Sequence, residues 1–118
     1  MAYKLFANHC HVFPDGAKDN AQIRNLKQLM ADCGIEKAVC FTCFQDQYDR
    51  CGVPGDPNTW LYNEIKDDPS LIGFGTVNFE RDDITEQVEY IASLGFKGIK
   101  IHPAYQEVNI MGEKACLV

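Results

Sequence analysis

Residues Lys4 to His11 alternate in polarity and are rich in apolar side chains, which predicts a first strand almost at the start of the chain. Phe13-Pro14-Asp15-Gly16 ends it with turn chemistry. Asp19-Asn20-Ala21-Gln22 reads as a helix start, with Gln three residues after a capping Asp. Ile23, Leu26, Leu29, Met30 and Cys33 then recur at helical spacing, and Gly34 closes the helix. Ala38 to Phe44 is apolar on both alternating sets, as in a strand covered on both faces. Gln45 to Asp56 is polar, contains Gly52, Pro54 and Gly55, and predicts a loop. Asp56-Pro57 predicts an N-cap with Pro at the first helical position. That helix runs through Trp60, Leu61, Glu64 and Ile65 and stops before Pro69. Leu71 to Val77 is a third strand. Asp83-Ile84-Thr85-Glu86 has the capping-box pattern. Ile84, Val88, Ile91 and Leu94 form the stripe of a third helix, which Gly95 ends. Gly98 to His102 is a fourth strand, cut off by Pro103.

The order is β-α-β-α-β-α-β with short connections. Such alternation predicts an α/β fold with right-handed crossovers and a parallel sheet. The helix end, Gly and strand entry at Cys33-Gly34-Ile35 recur at Leu94-Gly95-Phe96, as the repeated joint of one fold. The 118 residues allow one domain.

Composition narrows the function classes. Lys+Arg 11 against Asp+Glu 17 gives a net charge of −6, which disfavours nucleic acid as a partner. No apolar run approaches the roughly 18–20 residues of a membrane span, so no membrane role is expected. The first ten residues lack the apolar core of a secretory signal, and the expected location is cytoplasmic. Six cysteines invite a disulfide reading, but a reducing compartment argues against it. Four of them sit within apolar patterns, where Cys behaves as a small hydrophobe. Cys40-Phe41-Thr42-Cys43 spells a CxxC motif inside a strand-like run. A redox pair belongs at a helix N-terminus, and a zinc knuckle needs a second pair. Packing is therefore the expected role, with a small redox or zinc module as the competing one.

His9-Cys10-His11 is the sharpest chemical feature. Residues two apart on a strand share a face, so His9 and His11 project together and Cys10 opposes them. Two adjacent imidazoles supply two ligands to one divalent ion. They fall at the carboxyl end of the first strand, where parallel α/β folds build their sites. Two unrelated histidines near a strand end would give the same spelling. Lys100 and His102 repeat the spacing on the fourth strand. Their readings are contact with an anionic substrate, a bridging carbamate on the Lys, or a snorkelling Lys beside a locally bonded His. Asp15, Asp19 and the Glu80, Asp82, Asp83 group fit turn, cap and solvation roles. There is no Walker A motif, no GxGxxG after the first strand and no GxSxG.

Ala7-Asn8-His9-Cys10-His11-Val12-Phe13-Pro14 resembles the opening HxH strand of the amidohydrolase superfamily, in its amidohydrolase-related branch. Cys33 to Val39, Pro69 to Val77 and Leu94 to Pro103 resemble the entries to that branch's second, third and fourth strands, in family order. The resemblance implies the N-terminal half of a (β/α)8 TIM barrel, with four parallel strands and three crossover helices. It implies a metal-dependent hydrolase acting on a small-molecule substrate, with decarboxylases among the relatives. By that likeness His9 and His11 map onto metal ligands, Lys100 and His102 onto the substrate side, and Zn or Mn onto the divalent ion. Asn8 stands where many relatives carry Asp. A whole barrel of about 250 residues needs about 31 per unit, so four units account for this length. No His follows His102, and the ligands of strands five to eight are not in this sequence. The expectation is a half-barrel whose catalytic set is incomplete in this chain. A non-catalytic half-barrel that pairs with a partner or forms a homo-oligomer through its exposed strand edges is the other expectation.

Overall fold

The structure is a computed structural model that describes residues 3–118. The elements follow the order β1 (Leu5–His11), α1 (Ile23–Cys33), β2 (Ile35–Phe41), α2 (Gln45–Arg50), α3 (Pro57–Ile65), β3 (Leu71–Gly75), α4 (Ile84–Ser93), β4 (Gly98–Ile99) and α5 (Glu113–Cys116). The four strands form one parallel sheet in the sequential order β1-β2-β3-β4. The predicted α/β alternation and parallel sheet are thus present.

One face of this sheet receives the crossover helices. Val12, Ala38, Cys40 and Leu71 meet Met30 of α1 and Leu61 and Ile65 of α3 in one buried cluster. Val77, Phe79, Ile84 and Ile91 form a second, under α4, with Ile99 and Ile101 packed against it. Burying side chains of this size stabilises by about 1.5–3 kcal/mol each. Glycines let the helices approach. A Cβ on Gly73 would lie 2.4 Å from the Phe96 ring and 2.9 Å from Ile65, and one on Gly75 would lie 2.6 Å from Ile91. By the period of two, the opposite face carries Val39, Phe41, Ile72 and Phe74.

Local signals account for several ends. Asp56 caps α3 by accepting from the backbone N–H groups of Asn58 and Thr59, with Pro57 at the first position. Gly34 closes α1 at φ 67° and its N–H donates to the Met30 carbonyl. Gly95 takes φ 78° after α4. Ile84, Val88 and Ile91 face the core as their spacing predicts.

Other expectations are corrected. The stretch Gln45 to Asp56 holds a helix, α2, and α5 lies beyond the last predicted element. In α1 the packed stripe is Ile23, Leu26 and Met30, while Leu29 and Cys33 are exposed. Asp19 does not cap α1: its N-cap is Gln22, whose side chain donates instead to the Lys18 carbonyl. Asp83 sits at the N-cap of α4 without capping it, because the Arg81 guanidinium and Gln87 Nε2 take its carboxylate. β2 begins and ends three residues earlier than predicted.

β3 stops at Gly75 instead of Val77. Asn58 explains the stop: its Oδ1 accepts from the Thr76 N–H at 2.8 Å and its Nδ2 donates to the Thr76 carbonyl at 2.9 Å. Both backbone groups that would continue the ladder are thereby taken. β4 ends at Ile99, opposite Gly75, with one further bond from the Lys100 N–H to the Gly75 carbonyl at 2.8 Å. Lys100 and His102 accordingly lie just past the strand and not within it.

Candidate metal and substrate site

The site begins with a slip of register. Ala7 pairs with Ala38 and Cys10 with Cys40, so Asn8 and His9 together oppose Val39. Such a bulge bends a strand and re-aims its side chains. Beyond it, Cys10 packs against the helix-side cluster and Val12 is fully buried there. His9 and His11 share the opposite face, as the spacing predicts. Their ring centroids are 5.1 Å apart and their Nε2 atoms 3.3 Å apart.

Phe41, the register partner of His11, forms the floor. His9 meets its ring edge-on at 4.8 Å and His11 at 4.6 Å. Lys100 Nζ stands 4.8 Å from the centroid of the same ring. Such cation–π contacts are worth about 0.5–1 kcal/mol at exposed sites. Three of the four candidate residues therefore converge on one aromatic ring. The Lys100 ammonium makes no ion pair among the described residues. Partial burial lowers the pKa of His11 below 6.5, and the charges of His9, Lys100 and Lys18 push the same way. His11 is thus neutral near pH 7 and keeps a lone pair to offer.

His102 is placed differently. Its Nδ1 accepts from the Tyr105 N–H at 3.2 Å, and its own N–H donates to Gln106 Oε1 at 2.8 Å. Its recorded partners are those of the turn after Pro103, not the His9–His11 pair.

The donor set fits half of a tetrahedral ion site. Two nitrogens each about 2.0–2.1 Å from a tetrahedral zinc ion sit roughly 3.3–3.4 Å apart, and the imidazole Nε2 atoms are 3.3 Å apart. Among the described residues no group of three or more His, Cys, Asp or Glu side chains is arranged to hold a metal. The pair accounts for two ligands and no more.

The cysteines have another character. All six are free, and Cys40 and Cys43 are buried. Burial pushes the Cys40 thiol up to about 12 and the Cys43 thiol up to about 11. Neither has the low-pKa, accessible environment of a reactive thiol.

Sequence reasoning missed Asp46, Arg50 and Tyr105, which join the loops after β2 and β4. Tyr105 Oη donates to Asp46 Oδ2 at 2.7 Å and accepts from Arg50 Nη2 at 3.3 Å. The four-residue spacing of Asp46 and Arg50 was the available signal, visible only once Gln45–Arg50 is read as helical.

No protein-family model, no curated protein and no solved structure matches this chain. Among the described residues no helix is long and apolar enough to cross a membrane.

Proposed function

We propose that this chain is the half-barrel of a metal-dependent hydrolase of the amidohydrolase-related kind, acting on a small molecule. The observation that carries the reading is the 3.3 Å separation of the His9 and His11 Nε2 atoms at the carboxyl end of β1. Sequential parallel strand order, with crossover helices packed on one sheet face, supports the barrel half. His9 and His11 hold a divalent ion, Zn or Mn, through their Nε2 lone pairs. Such an ion supplies Lewis acidity and makes water a competent nucleophile near neutral pH. Phe41 walls one side of the imidazole pair. Lys100 orients the substrate by charge, and His102 contacts it from the turn after β4. Decarboxylation at the same residues is the alternative chemistry.

The two imidazoles leave ligand positions to be filled from other strands. The edges of the sheet favour a second reading, in which the half-barrel works by association. β1 and β4 are edge strands, and Leu5 and Phe6 on β1 are 46% and 56% exposed. Exposed apolar edges template pairing with another chain.

Metal content tests the first reading. Zinc and manganese binding are measured by calorimetry and elemental analysis on the purified chain and on the His9→Ala/His11→Ala double variant. The expected result is saturable binding that weakens about tenfold or more in the double variant, a loss of about 1.4 kcal/mol or more. No binding, or binding unchanged in the double variant, refutes the metal reading. Sedimentation as a monomer at all concentrations refutes self-association.

A further inference from the structure

Tyr105 is tied to two loops at once. Its ring stacks on Phe44 at 5.3 Å, and its hydroxyl bridges Asp46 and Arg50 of α2. Asp46 and Arg50 are themselves paired at 3.1 Å, one turn apart on that helix. From this anchor the Tyr105 backbone N–H reaches Nδ1 of His102. Gln106 completes the clamp. Its N–H donates to the His102 carbonyl at 2.9 Å, its Oε1 accepts from the His102 N–H, and its Nε2 donates to the Val77 carbonyl at 2.8 Å.

The chemistry of that contact is one-sided. A backbone N–H only donates, so the ring nitrogen facing it must be the acceptor. A neutral imidazole with Nδ1 as acceptor carries its proton on Nε2. Nε2 of His102 makes no hydrogen bond among the described residues, and the side chain is exposed. It is a donor held ready with no partner.

We propose that Tyr105, Asp46 and Arg50 hold His102 as the tautomer protonated on Nε2, a hydrogen-bond donor presented to a ligand from the turn after β4. The group it meets is an acceptor oxygen of the substrate, a carbonyl or a carboxylate. In this tautomer His102 does not act as a base. The identity of the acceptor rests on the function proposed above; the tautomer does not.

The test is nuclear magnetic resonance on the 15N-labelled full chain, at a pH where the imidazoles are neutral. Long-range proton–nitrogen correlations separate protonated from unprotonated ring nitrogens, and His102→Gln assigns the signals by their loss. The wild type is expected to show His102 with unprotonated Nδ1 and protonated Nε2. Tyr105→Phe removes the bonds to Asp46 and Arg50, and both nitrogen shifts should move toward those of an unconstrained neutral imidazole exchanging between its tautomers. Asp46→Ala should do the same, whereas Asp46→Asn, whose amide oxygen still accepts from the Tyr105 hydroxyl, should restore the wild-type pattern. These side chains are on the surface, and thermal unfolding of each variant verifies that it is folded. A merely structural role would lower the melting midpoint and leave the tautomer alone. A proton on Nδ1 in the wild type, or a pattern unmoved by Tyr105→Phe, overturns the proposal. Zinc added to the same sample reports on His9 and His11 through their own signals, so failure of the metal reading is seen separately.

Discussion

Replacing Asn58 by Ala should cost this fold more than any exposed substitution of the same size. Asn58 is 8% exposed at the second position of α3, and Thr76, its partner, is 7% exposed. The amide side chain stands in for a neighbouring strand, pairing the N–H and the carbonyl of Thr76 at once. Truncation leaves both backbone groups buried without partners. An unsatisfied buried group costs about 1–3 kcal/mol. Two of them, offset by roughly 0.5 kcal/mol from the better helix propensity of Ala, give a net loss of about 1.5–5.5 kcal/mol. That is a large share of the ~5–15 kcal/mol that holds a domain together. Urea unfolding followed by circular dichroism reads it. With a slope of about 2 kcal/mol/M, the midpoint should fall by roughly 0.8–2.8 M. Amide exchange at Thr76 should accelerate while the centre of β2 stays protected. Asn58→Asp keeps the acceptor for the Thr76 N–H but turns an acceptor toward the Thr76 carbonyl, so it should be no better. An Asn58→Ala midpoint within about 0.25 M of wild type, at unchanged slope, would show that Thr76 is paired by other means and that Asn58 does not end β3. β4 is bonded to β3 by the Lys97 N–H to the Gly73 carbonyl and the Lys100 N–H to the Gly75 carbonyl, one residue before Thr76, and Lys100 reaches Phe41 from there.

Three further outcomes are expected. At pH 8 a thiol reagent should label the exposed Cys33 and Cys116 first, while Cys40 and Cys43, pushed up to about 12 and about 11, react only on unfolding; rapid labelling of either buried thiol would revive the redox reading. Gly73→Ala drives a methyl into Phe96 and Ile65 and should cost about 1–3 kcal/mol in the same urea assay; a neutral result would mean that the α3 and α4 sides of the core are loosely packed. Asp68 is held below its ordinary 3.8 first by the Ser70 hydroxyl and also by Lys27, which it meets at 3.2 Å. A depressed folded pKa stabilises above the unfolded value and is lost as pH falls through the folded one. Ser70→Ala should therefore unfold more easily than wild type at pH 7, and the gap should narrow as the pH falls below about 4, the ordinary carboxyl value; a gap independent of pH would contradict the linkage.

The sequence by itself determined what depends on neighbours a few positions away. The period of two placed His9 and His11 on one face, and that holds whatever strand lies beside them. Asp56-Pro57 started α3, and Gly34 and Gly95 ended helices, because cap geometry and left-handed φ are settled within one turn. The regular alternation of apolar strands and stripes announced the parallel α/β order for the same reason.

Only the tertiary structure decided which polar groups meet. Asp83 carries the spelling of a cap, yet Arg81 and Gln87 offer its carboxylate better partners, and no pattern ranks those rivals. The bulge at Asn8 and His9 exists only in the pairing of β1 with β2. β3 ends where it does because Asn58, eighteen residues before Thr76, takes its backbone. Lys100 and His102 share a spelling with the HxH pair, but one lies over Phe41 and the other is held in its own turn by Tyr105. Hydrogen bonds and ring contacts are satisfied by whichever partner folding brings within about 3 Å for the bonds and about 5 Å for the rings, and that proximity is a property of the assembled sheet, not of the string of residues.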